Sequence, residues 1–200
     1  MKRSMRFAAA MAIVLSVSGC SAASLLGAGK TPPYLLTLTS EAPATGEFTR
    51  SATPGEAVTI AAPIIAKELR TVRIPVQVTP TAIEYVTGVQ WADTPDRLFQ
   101  DLVAETVRRT SRRVVLDPDQ AALDPGLVVS GQLSRFGYDA VEQAVIVRYD
   151  AALSTSGGTR VETRRFESRV PTSADAAGIG PALNSAANRV ALDVARWIGG

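Results

Sequence analysis

The apolar residues of this chain repeat with two different periods, and that switch restricts the fold more than any other feature. Val72, Ile74, Val76 and Val78 alternate with polar neighbours such as Arg73 and Gln77, and Val145, Val147, Tyr149, Ala151 and Leu153 do the same. A period of two lines one face of a strand. Between these runs Leu98, Phe99, Leu102, Val103, Thr106 and Val107 recur at helical spacing, and near the end Leu183, Ala187, Val190, Ala191, Val194 and Trp197 form a second stripe. A chain carrying both patterns buries sheet faces against helix stripes.

Reading along the chain, short apolar or β-branched runs at 34–39 and 58–62 predict strands, followed by a strand over 72–78 in which Pro75 marks an edge or bulge. Residues 83–86 and 89–91 flank Thr87-Gly88 and predict a hairpin. The first helix is expected over 95–110. Thr94 is placed to cap it, Pro95 suits its first position, and Asp96 and the pair Arg108 and Arg109 complement its dipole. A short strand at 113–116, three longer ones over about 127–138, 143–155 and 160–170, and a helix over 175–198 complete the order β-β-β-β-α-β-β-β-β-α. The fold class is therefore α+β: a mixed, largely antiparallel sheet with two amphipathic helices packed on one face. The second stripe belongs to the core or, alternatively, to a partner groove. Asn184, Asn188, Arg189, Asp193 and Arg196 form the polar side of that helix.

Ahead of the folded part, Lys2, Arg3 and Arg6 precede the apolar run 7–17, which leads into Val17-Ser18-Gly19-Cys20. A positive segment, a short apolar run and small residues at the cut describe an export signal too short to be an ordinary membrane-spanning helix. The tetrapeptide resembles a bacterial lipobox, so Cys20 is expected to carry a diacylglycerol and an N-acyl chain. Cys20 is the only cysteine, so no internal disulfide competes for it. The alternatives are a buried thiol or an intermolecular disulfide. Two or three acyl chains, each CH₂ contributing roughly 0.8 kcal/mol, would hold the protein at a membrane almost permanently. The expected organisation is a signal peptide over 1–19, a lipidated tether over 20–33, and one domain over 34–200. Ser21 after the cysteine favours the periplasmic face of the outer membrane over the inner one.

Removing Lys2, Arg3 and Arg6 takes the formal net charge from +2 to −1, so the basic balance belongs to the discarded segment. No general electrostatic case for nucleic acid survives. Arg108, Arg109, Arg112 and Arg113, and Arg160, Arg164, Arg165 and Arg169, remain as local clusters, either solvated charge or contacts for lipid headgroups or an acidic surface. The chain contains no histidine, which excludes Ser-His-Asp and Cys-His chemistry, His-containing zinc sites and a haem His ligand. No Walker loop or Gly-x-Gly-x-x-Gly occurs. Asp117 and Asp119 are flanked by prolines and read as a loop rather than an acid–base pair or calcium site. The expectation is a protein with no catalytic residues, no metal and no cofactor beyond the lipid on Cys20.

Taken in order, Val17-Ser-Gly-Cys20, Tyr34-Leu-Leu-Thr-Leu38, Val72-Arg-Ile-Pro-Val-Gln-Val78, Gly88-Val-Gln-Trp-Ala-Asp93 leading into 98–107, Leu127-Val-Val-Ser-Gly-Gln-Leu-Ser-Arg-Phe136 and Val145-Ile-Val-Arg-Tyr149 resemble the ABC-type transport auxiliary lipoprotein family. Thr79-Pro-Thr-Ala82 departs from the longer polar loop usual there. The resemblance implies a non-enzymatic component of a lipid-transport system. Its partners would be an MCE-domain protein and an ABC transporter permease and ATPase, with the lipid anchor holding it to the membrane. Homo-oligomers are left open. The rival reading is an envelope-assembly or regulatory lipoprotein that activates a cell-wall enzyme or secretion pore. A third, direct lipid carriage, predicts an apolar pocket of acyl-chain size. Tyr85, Trp91, Phe136 and Tyr138 are the candidate partner-binding residues, with core packing the competing fate of Trp91.

Overall fold

The longest strand, β8 (Leu127–Asp139), organises the sheet, because its two edges are satisfied in different ways. A computed structural model describes residues 34–43, 46, 49–120, 126–155 and 160–199. Along one edge β8 pairs antiparallel with β9 (Ala144–Thr155), which pairs antiparallel with β10 (Val161–Pro171), forming a three-stranded meander. Along the other edge three short segments dock in series, all parallel: β2 (Val58–Ile60) against Leu127–Val129, β3 (Ile64–Ile65) against Gln132 and Leu133, and β4 (Pro75–Thr79) against Tyr138 and Asp139. β5 (Ala82–Tyr85) pairs with β4, and β7 (Val115–Leu116) with β2. The result is an eight-stranded mixed sheet, apart from which β1 (Leu35–Leu36) and β6 (Gln90–Trp91) form a parallel pair.

A register shift in β8 between Leu133 and Arg135 inserts an extra residue. The bulge lets Leu133 and Phe136, three positions apart, both enter the core at 0% and 1% exposure. A strict alternation would turn Phe136 outward.

The helices α1 (Pro95–Thr110) and α2 (Ala176–Gly199) have nearly the bounds that the periodicity predicts. Both pack on one face of the sheet: the Phe99 ring of α1 meets Tyr149 of β9 edge-on at 5.2 Å, and Trp197 of α2 meets Phe166 of β10 at 5.5 Å. Tyr149 and Phe166 are paired neighbours on the same face. Between the layers, Leu102, Val103, Val107, Leu183, Ala187, Val190 and Val194 close one hydrophobic core with Val129, Leu133, Val145 and Val147. Pro95 starts α1 as expected, whereas Thr94 makes no side-chain cap. At the start of α2 the Asp175 carboxylate accepts from the Gly178 N–H at 2.7 Å and from the Ser173 hydroxyl, and these bonds hold its pKa below the usual carboxylate value.

Two local expectations are corrected. The hairpin across Thr87-Gly88 does not form: the chain reverses between β4 and β5 instead, and Gly88, at φ +80°, turns β6 away to meet β1. Placing Trp91 at 1% exposure in the core draws β6 out of the sheet. The strand expected over 34–39 is reduced to Leu35–Leu36, since beyond it the backbone finds side-chain partners instead of a ladder.

Candidate functional site

Those side-chain partners are two asparagines on the flank of α2. The Thr39 N–H donates to Asn184 Oδ1 at 2.8 Å and the Glu41 N–H to Asn188 Oδ1 at 2.7 Å. In return Asn188 Nδ2 donates to the Thr39 carbonyl at 2.9 Å, and Asn184 Nδ2 to Glu41 Oε1 at 3.0 Å. A side-chain amide offers a donor and an acceptor in one plane, so two amides one helical turn apart imitate the edge of a strand. Residues 34–42 thus form a strap across the helices. Leu36 lies on Gly180, where a Cβ would meet Leu36 Cδ2 at 3.2 Å. At the far end Ser40 Oγ and Thr106 Oγ1 are 3.3 Å apart, and Arg109 donates to the Ala42 carbonyl at 3.0 Å. Asn188, on the polar side of α2, is only 6% exposed because the strap covers it.

The strap is the first described segment of the chain. The signal peptide, the lipid-bearing Cys20 and the tether expected over 1–33 lie outside the described residues. Among the described residues no helix is long and apolar enough to cross a membrane.

Of the four aromatic candidates, three are core residues. Trp91 and Phe136 are each 1% exposed with ring centroids 5.5 Å apart, and Tyr138 is 4% exposed beside Val76. Buried rings offer a partner no surface, so these three are corrected to packing roles. Tyr85 differs. It is half-buried on β5, its hydroxyl donates to the Glu68 carbonyl at 3.3 Å, and the Arg73 guanidinium lies 4.1 Å over its ring. Ile83, two residues earlier and therefore on the same face, is 40% exposed.

Most of the two basic clusters is engaged within the fold. Arg108 and Arg109 pair with Glu105, and Arg113 donates to the carbonyls of Ile198 and Glu56. Arg160 pairs with Glu162, Arg165 with Asp150 at 2.5 Å, and Arg169 with Glu142 at 2.8 Å and with Glu167. Arg112 is exposed, and Arg164 lies 5.2 Å over the Phe166 ring. Arg165 is the main reason the Asp150 carboxyl lies below its ordinary pKa. Burial alone would raise Asp139, but the N–H groups of Glu142 and Val141 and the Arg135 guanidinium outweigh it and hold its pKa down.

A crevice lined by Leu69, Pro75, Ile83, Phe136 and Tyr138 measures about 30 Å³, the room of one water. A cleft of about 600 Å³ opens at the C-terminal ends of the two helices, where Ala52, Val114 and Ala195 line it beside Ser51, Ser111, Arg112, Arg113 and Arg196. Among the described residues no group of three or more Asp, Glu, His or Cys side chains is placed to hold a metal.

The model of the ABC-type transport auxiliary lipoprotein component family matches residues 34–195, from the first residue of the strap to the last turns of α2. The chain belongs to this family. Its fold is shared with solved structures at low sequence identity. Protein XCC0632 from Xanthomonas campestris, a DUF330 protein, superposes with a TM-score of 0.67 at 21% identity, covering 83% of this chain and 94% of that one. An uncharacterised protein superposes with a TM-score of 0.62 at 12% identity, covering 75% of this chain and 96% of that one. No functionally curated protein matches. As a transport auxiliary lipoprotein component, the chain is associated with an ABC transport system and with a membrane.

Proposed function

We propose that this auxiliary component is a non-enzymatic adaptor, anchored by acyl chains on Cys20 at the periplasmic face of the outer membrane, that docks an MCE-domain protein of an ABC lipid-transport system. The observation that carries this reading is the family match over 34–195 immediately downstream of a lipobox at 17–20. The strap supports it, because the chain arriving from the anchor is bonded to α2 by four hydrogen bonds rather than trailing from the surface. The accessible side of the β4–β5 hairpin, with Arg73, Ile83 and Tyr85, is the docking patch. It combines an exposed aliphatic, a ring and a cation stacked on it, a combination typical of interface anchors.

The test has three parts. Mass spectrometry of the mature N-terminus should find acylated Cys20, and Cys20→Ala should release the protein from membranes. Density fractionation should place the wild-type chain with outer membrane. Cross-linking in intact cells, followed by pull-down of the lipidated chain, should recover an MCE-type protein, and Ile83→Asp should reduce that recovery without changing the melting temperature. An unmodified Cys20 would refute the anchor, inner-membrane fractionation the location, and recovery of a cell-wall synthase or secretin alone the transport role.

A further inference from the structure

β10 carries an unpaired edge. All eleven of its residues, Val161–Pro171, are in register with β9, without a bulge, and no described strand pairs with its other side. Its only proline is the last residue. Val161 is 62% exposed. A regular edge of this length presents a row of free backbone donors and acceptors; natural sheets shorten, bulge or cover such edges or guard them with charge, and the alternating charges of β10 restrict which neighbour it can accept.

We infer that β10 pairs antiparallel with β10 of a second copy, forming a two-fold dimer whose sheet is continuous through Phe166. Antiparallel addition of identical edges requires a two-fold axis normal to the sheet, which keeps each face on its own side, so the axis must pass through a single residue position. The charges select which. An axis at Arg164 or Arg165 sets an arginine against itself, and one at Glu167 sets a glutamate against itself and Arg165 against Arg169. Like charges directly opposite are destabilising. An axis farther along the strand in either direction shortens the overlap. With the axis at Phe166 all of Val161–Pro171 overlaps, Arg165 lies opposite Glu167 of the second copy and Glu167 opposite its Arg165, and Arg164 lies opposite its Ser168. No like charges meet.

The helical layer accommodates this arrangement. α2 lies over β9 and β10. At roughly 4.8 Å per strand, the two α2 helices are separated by two strand spacings, about 10 Å, which is the distance of packed helices. The groove between α2 and β10, about 400 Å³ and edged by Arg164, Asp193, Arg196 and Trp197, is then closed by the same groove of the second copy. Both helical layers, and both straps, fall on one side of the joined sheet, so two anchors can reach the same membrane.

The test uses the full-length lipoprotein in density-matched detergent and sedimentation equilibrium. The wild-type chain should be a dimer. Arg165→Glu and Glu167→Arg each place like charges opposite one another twice and should weaken association by on the order of tenfold or more, and the double exchange should restore it. Because Arg165→Glu also faces Asp150, and Glu167→Arg faces Arg148 and Arg169, within the same chain, a second measurement fixes the register: Arg165→Cys and Glu167→Cys chains should form a disulfide when mixed and not when each is alone. A monomeric wild-type chain, an assembly indifferent to both single reversals, or cross-linking of either cysteine variant by itself would overturn the inference.

Discussion

Asn188→Ala isolates the strap. The substitution removes the acceptor of the Glu41 N–H at 2.7 Å and the donor to the Thr39 carbonyl at 2.9 Å, while Asn188 itself is 6% exposed and sits beside the α2 core stripe. Each hydrogen bond contributes a net of roughly 1 kcal/mol. Alanine returns about 0.5 kcal/mol through its better helix propensity. The released strap groups are exposed enough to regain water, so no full desolvation penalty is added. The expected loss is about 1.5–2 kcal/mol, or roughly 3–8 °C in Tm for a domain of this size. Asn188→Asp sharpens the test, because it keeps an acceptor for Glu41 but turns a carboxylate oxygen toward the Thr39 carbonyl, and should destabilise at least as much at neutral pH. Urea unfolding gives the free energy. Hydrogen exchange gives the location: the Glu41 amide should lose protection in Asn188→Ala while amides in the centre of β9 fall only with global stability. A loss below about 0.5 kcal/mol, or an unchanged Glu41 amide, would refute the role given to this amide pair.

Gly137→Ala should destabilise by about 1–3 kcal/mol, since an added Cβ would lie 2.4 Å from the Pro75 carbonyl oxygen and push β4 off β8, whereas Gly46→Ala, with nothing within 4 Å, should be neutral in the same urea measurement. Asp139 and Asp150 both have folded pKa values below the reference of 3.8, so their contribution is fully present above that value and is lost as pH falls through the depressed ones. An acid titration followed by circular dichroism should show unfolding in that range, with a shallower slope in Asp139→Asn. Burial pushes the Tyr149 hydroxyl well above its reference of 10.0, so it should stay un-ionised in the folded protein, stability should fall as pH rises past that reference, and phenolate absorbance from Tyr149 should develop only with unfolding.

Long elements were legible in the sequence because their burial repeats within the element itself. α1, α2 and β8 to β10 each bury one stripe or face over enough residues for the period to be read. The two-residue strands β1, β3, β6 and β7 could not be read this way, since each exists only through a partner distant in sequence, as Leu36 does through Trp91 and Ile65 through Leu133. The serial docking of β2, β3 and β4 on one edge of β8 is a tertiary arrangement that no local pattern encodes. Aromatics were ambiguous for a related reason. Trp91 and Phe136 flank turns and strand ends as contact residues do, and only the bulge in β8 and the detour of β6 turn them inward. The asparagine pair did leave a signal: two amides four residues apart, the second next to Ala187 of the apolar stripe, are costly beside a core unless something accepts and donates to them.

α2 links the strap to the unpaired edge, and its geometry predicts whether the two communicate. Trp197, which meets Phe166 of β10, follows Asn188 by nine residues, about two and a half turns, and so projects from the opposite side of the helix. Side chains on opposite flanks that share no partner should act independently. Combining Asn188→Ala with Glu167→Arg should therefore give the strap variant's loss of stability and the edge variant's loss of association, additive within about 0.5 kcal/mol. Dissociation that deepens when the strap is released would instead mean that α2 shifts as a body between the two sites, and that the state of the anchor-proximal segment is felt at the dimer edge.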